Sequence, residues 1–235
     1  MFLVIIFLHF YVLPNKKNSV ILHAVMRKLL VLSLLGLCSL SVGARSMAEI
    51  WKAMPDSLMP YVDRKHRIEM VEFIGMGLKG DVDNLFGSKS TMDTLTSNFI
   101  QVRASEAMMM QVKRLPRPSG DSIICVVRTW CGPAMSSKIQ IYTEDWQPIH
   151  QNPLGMTGLD GMMHRLIVRP DSMSEQKFRE LKAGFDFLLP YASLAVGSDE
   201  LQVSVSNPMS FQEEKADFER TKKLIILKWD GNIFK

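Results

Sequence analysis

Residues 99–143 read FIQVRASEAMMMQVKRLPRPSGDSIICVVRTWCGPAMSSKIQIYT. Apolar and polar side chains alternate along this stretch with a period of two, and turn-forming clusters interrupt it at Pro116–Gly120 and from Gly132-Pro133 to Ser137. The pattern predicts four strands, at Phe99–Arg103, Glu106–Leu115, Ser122–Thr129 and Lys138–Thr143. Consecutive strands joined by short turns give an antiparallel sheet.

Toward the N-terminus the period lengthens to that of a helix. Ile50, Trp51, Met54, Leu58, Met59 and Val62 recur at near-helical spacing but are interrupted by Pro55 and Pro60, which predicts two short helical turns over 46–62. Asp63 is placed to cap a helix that carries Ile68, Val71, Ile74 and Leu78 on one face and ends at Gly80. Gly80–Asn98 reads as a polar linker anchored by Leu85, Phe86 and Leu95.

Toward the C-terminus residues 144–163 read as loop, and Arg165–Val168 as a short strand. A capping-box pattern at Ser172–Glu175 opens a helix with Phe178, Leu181, Phe185 and Leu188 on one stripe, ended by Pro190. Strands are predicted at Ala192–Val196 and Glu200–Ser206, around a Gly197-Ser198-Asp199 turn, and at Thr221–Trp229. The sequence class is therefore α+β, with antiparallel sheets and helices on one face. The halves 45–150 and 151–235 share an order of helix, apolar strand, tight turn and alternating strand, and later a strand ending at Trp146 or Trp229. They are expected to be two degenerate tandem helix-plus-sheet units, packed as one domain with their sheets joined edge to edge. That arrangement would leave one sheet face exposed and concave as a binding surface.

The chain has 235 residues, 47% apolar and 22% charged, an ordinary globular balance. Its net charge of +4 comes from Lys16, Lys17, Arg27 and Lys28. Beyond residue 44, 24 of the 28 Lys and Arg face 24 Asp and Glu. A neutral body lacks the basic footprint of a nucleic-acid binder, so no nucleic-acid partner is expected. Arg27-Lys28, the apolar run Leu29–Leu40 and the small residues Val42-Gly43-Ala44 form a signal-peptide pattern over 26–44, with cleavage expected after Ala44 or, as a second site, Ala48. Residues 1–25 read as an over-extended reading frame upstream of a start at Met26, or else as an uncleaved anchor. Leu37 before Cys38 is a poor lipidation context. Nothing after residue 48 is long and apolar enough to span a bilayer. The expected location is the periplasm or cell surface of a Gram-negative bacterium.

Cys125 and Cys131 would lie roughly 20 Å apart on one extended strand, so a disulfide requires a turn near Trp130. His66, His150 and His164 sit in no nucleophile frame, and no zinc spacing appears, so neither a catalytic residue nor a metal ligand is assigned. Gly155, Gly158 and Gly161 lack the strand and the Lys-Ser/Thr of a phosphate loop, and Asp81-Val82-Asp83-Asn84 lacks the rest of a calcium hand. No cofactor is expected. All but Met1 and Met26 of the 17 methionines follow residue 44, including Met108-Met109-Met110, which must point alternately to opposite faces of a strand. Met109, Trp130, Tyr142 and Trp146 are the ligand-contact candidates, with a place in the core as their default role.

The stretches IWKAMPDSLMPYVDRKHRIEMVEF, NLFGSKSTMDTLTSNFIQV and SIICVVRTWCGPAMSSKIQIYTEDW resemble the exported Bacteroidales family catalogued as domain of unknown function 3256. The resemblance spans Ser46 to about Trp229, and its most specific piece is Met54–Tyr61. It implies no catalytic residue or ligand. The repeat and compartment are also similar, at the level of fold, to β-lactamase-inhibitor-protein-like architecture. These readings lead to an exported, non-enzymatic module for an envelope protein, peptide or glycan. An envelope hydrolase assembled only in space and a structural subunit are the competing classes.

Overall fold

A computed structural model describes residues 45–155, 158–185, 187–208 and 212–235. The leader and the segment before it lie outside the described residues. Helix α1 (Met47–Ala53) opens on a capping box: Ser46 accepts from the Glu49 amide, and the Glu49 carboxylate accepts from the Ser46 amide at 2.7 Å. A single 3-10 turn at Asp56–Leu58 follows Pro55. Asp63 caps α2 (Arg64–Gly75) through the His66 amide and also bonds the His66 ring at 2.8 Å; that backbone bond holds its carboxyl below the usual carboxylate range.

The helix presents a different face from the one expected. Arg67 and Met70 are buried, Val71 and Ile74 pack beside them, and Leu78 lies past the helix end, exposed. Arg67 takes the inward position because the chain folds its own acceptors around it. Its guanidinium donates to the Val62 carbonyl (2.6 Å), the Met54 carbonyl and the Asp56 carboxylate (2.7 Å), which ties the 3-10 turn to α2.

The expected linker 80–98 is in fact two strands, β1 (Gly80–Asp83) and β2 (Lys89–Leu95). They continue into β3 (Phe99–Ser105), β4 (Met108–Pro116), β5 (Ser122–Cys131), β6 (Met135–Tyr142) and the two-residue β7 (Pro148–Ile149). All seven pair in chain order as one antiparallel meander. After a 3-10 turn, the short helix α3 (Met163–Leu166) stands where a strand was expected. Helix α4 (Glu175–Ala183) is capped by Ser174. Strands β8 (Leu189–Leu194), β9 (Glu200–Ser206) and β10 (Ile225–Lys228) form a second antiparallel sheet, and helix α5 (Gln212–Thr221) lies between the last two. Pro190 therefore lies in a strand rather than ending a helix.

The two halves do not repeat: the first supplies a seven-stranded meander and the second a three-stranded sheet. Nor do the sheets join at an edge. On one face of the large sheet Ile100, Val102, Met110, Val112, Ile124 and Val126 pack under α1 and α2, in a core that includes seven methionines. On the other face Phe99, Leu115, Ile123, Cys125, Val127 and Ile141 pack against Ala192, Leu194, Leu201, Val203, Ile225 and Leu227 of the small sheet. The face expected to be open is covered there, and β5 is buried on both sides from Ile123 to Val127. Cys125 and Cys131 are both on β5 and free, as a straight strand requires.

Polar side chains of the large sheet bind the outer edge of β8. Gln111 accepts from the Leu194 amide (2.8 Å), Ser137 accepts from the Ala192 amide (3.0 Å), and the Lys113 ammonium donates to the carbonyls of Ala195 (2.6 Å) and Ser198 (2.7 Å) just beyond. Pro190 has no amide to satisfy. No helix among the described residues is long and apolar enough to cross a membrane.

Candidate functional site

A concavity of about 600 Å³ runs along the outer edge of β6, a size ordinary for ligand sites. Its floor is a strand edge. The Thr143 amide donates to the Gln147 carbonyl across the β6–β7 turn (2.9 Å). By the two-residue repeat, Ile141, Ile139 and Ser137 direct their backbone groups outward, and Gln140 and Lys138 direct theirs to β5. Strand β7 covers only Ile141 and Tyr142 before the chain leaves at His150, and Ser206 donates to the Met135 carbonyl (2.6 Å). Among the described residues, no hydrogen bond reaches the N–H or C=O of Ser137 or Ile139.

The walls differ in character. Leu154 belongs to the inter-sheet core, and Ile139, Ile149, Leu159 and Leu188 pack against it, so the wall on the small-sheet side is apolar. Ser136, Lys138 and Gln140 point to the opposite face of β6 and make that side polar, with exposed His150 nearby. Gly158, which lines the far side, takes a left-handed conformation (φ +60°).

The candidates chosen from sequence are dispersed. Tyr142 and Trp146 are 3% and 5% exposed, with ring centroids 5.6 Å apart and planes tilted by 56° in the core under the helices, and the Trp146 indole donates to the Ile50 carbonyl (2.9 Å). Burial leaves neither ring a surface to offer a ligand. Trp146 reaches that place through a left-handed backbone (φ 62°), a strain held by the packing of its ring. Met109 is half-buried on the small-sheet side of β4, opposite Thr129. Trp130 is 46% exposed and pairs with Ser136, one strand in from the cleft and on the same face as Lys138.

The cleft also holds Ser137 and Asp160. The Ser137 hydroxyl is bonded to the Thr129 hydroxyl (2.8 Å) as well as to Ala192. No described hydrogen bond joins a serine, a histidine and a carboxylate here, and no cluster of metal-ligating residues occurs among the described residues. A second hollow of about 550 Å³ at the β1 side is lined by groups bonded to one another, Thr91 to Asp81 (2.7 Å) and Arg103 to Asp93 (3.3 Å). The sequence signal for the cleft was faint. Pro148 marks β7 as an edge strand that cannot donate at its first residue, yet nothing local shows how little of β6 it covers.

These features define a class: an α+β protein of three layers whose distinctive site is an open strand edge in a cleft. The chain belongs to the family described as "Protein of unknown function (DUF3256)", matched over residues 39–234. It is similar in fold to a domain of an uncharacterized protein from Porphyromonas gingivalis W83, with a TM-score of 0.64, 20% identity, and coverage of 80% of this chain and 96% of that one. No curated protein matches it.

Proposed function

We propose that this protein is an exported, non-enzymatic binding module of the bacterial envelope that takes a protein, peptide or glycan in the cleft beside β6. The observation that carries this reading is the cleft itself, about 600 Å³, with one apolar and one polar wall and, along its floor, backbone groups that have no partner among the described residues. The signal-peptide pattern of residues 26–44 supports the compartment. A neutral body beyond it supports a partner other than nucleic acid.

The test is retention of defined peptide pools and soluble envelope glycan fragments by the immobilised chain, compared with Leu159→Arg, which puts a charge into the apolar wall. Retention by the wild type that falls about tenfold in the variant is expected. Equal retention by both rules the cleft out as the site. For the compartment, terminal sequencing of the processed protein is expected to begin at Arg45, and cytosolic protein retaining residues 26–44 rules export out.

A further inference from the structure

We infer that the occupant of this cleft is an extended polypeptide segment that adds to the seven-stranded sheet as a further strand on β6; this rests on the binding reading above. The two sheets treat their edges differently. The edge of β8 is closed by Gln111, Ser137, Lys113 and the amide-free Pro190. Of the devices by which proteins blunt exposed strands, the edge of β6 carries only a single charged side chain, Lys138, and neither a proline nor a bulge. Residues 135–142 contain no proline, and their pairing with β5 runs without a bulge from Cys131↔Met135 to Ile124↔Tyr142. Ser137 and Ile139, two residues apart, offer two donors and two acceptors at roughly 7 Å spacing, the period of a strand and not of a sugar ring.

The walls fit the same occupant. Side chains of a strand alternate between faces, so one set would meet Leu154, Leu159 and Leu188 while the other met Lys138. Lys138 is exposed, forms none of the described ion pairs and lies opposite Arg128, which favours acidic side chains on that set. The partner chemistry is thus a short extended segment, apolar and acidic residues alternating, lying on the line that β7 begins and leaves at His150.

The probe is a blocked peptide of alternating glutamate and valine, about seven residues long, titrated into the full chain with amide exchange as the readout. Saturable binding is expected, with the Ser137 and Ile139 amides gaining at least about tenfold protection. N-methylating the alternate peptide amides that face β6 is expected to weaken binding about tenfold or more, and methylating the other set to leave it. Lys138→Glu is expected to shift preference to the lysine-valine peptide. Peptide binding indifferent to which set is methylated overturns strand addition but keeps the binding reading. So does protection of the cleft by a soluble glycan fragment with no peptide binding. No binding of either probe overturns both.

Discussion

At the scale of single residues, two titratable groups follow from burial. Cys125 is fully buried and its thiol is pushed up to about 12, chiefly by loss of water, whereas Cys131 is half-exposed near the strand end. Alkylation of the native protein followed by peptide mass spectrometry should modify Cys131 and spare Cys125 until the chain is unfolded. Lys113 has no exposed side-chain surface, and its ammonium is surrounded by the carbonyls of Ala195, Val196 and Ser198 with the Asp199 carboxylate at 3.7 Å. Burial pushes its proton affinity below the ordinary value of 10.5, against the pull of Asp199. Lys113→Met leaves those carbonyls without a donor and should cost about 2–3 kcal/mol in urea unfolding. Between the lowered value and 10.5 the unfolded chain holds a proton that the folded chain has released, so the wild type gains stability as pH rises there. The difference between wild type and variant should widen as pH rises toward 10.5. A lone lysine inside an alternating strand gives no sign of this role in sequence, because its acceptors lie 82 to 85 residues away.

At the scale of elements, strands with a strict period of two were legible and those without it were not. β3 to β6 appear in sequence to within a few residues, as does the cap at Asp63, whereas the capping box read at Ser172–Glu175 gives way to a cap at Ser174. β1 and β2 were missed because their inward positions are filled by Gly80, Val82 and Ser90 as well as Met92, so alternation of size replaces alternation of polarity. Gly80 is required there: a Cβ on it would lie 2.9 Å from the Met92 Cβ. The run IICVV in β5 held a signal that a one-sided reading passes over, since a continuous apolar run marks a strand covered on both faces. The edge of β8 is testable at this scale. Gln111→Ala frees the Leu194 amide inside the inter-sheet contact, which should cost about 1–3 kcal/mol. In native-state hydrogen exchange it should speed the Leu194 amide while sparing β3 amides under the helices. Uniform acceleration across both sheets would instead mean that Gln111 supports the whole fold.

At the scale of the whole molecule, the inter-sheet core makes the halves dependent on one another. Residues 45–150 alone would expose Phe99, Leu115, Ile123, Val127 and Ile141, a patch of a kind that soluble monomers rarely carry. That fragment should be insoluble or bind hydrophobic dyes when expressed alone, and recovery of a monomeric, cooperatively folding fragment would contradict the shared core. The sequence by itself determined the α+β class, the central strands β3 to β6 of the antiparallel meander and the starts of α2 and α4, because period, turn chemistry and caps act within a few residues of chain. It also carried the family, through local stretches such as Met54–Tyr61. Only the tertiary structure decided that the second sheet covers the face of the first, that Tyr142 and Trp146 are core, and that Ser137 and Ile139 have no strand partner on the cleft side among the described residues. The physical reason is the range of the interactions: face-to-face packing and the pairing of a strand edge are set by residues tens of positions apart, which a local pattern does not encode.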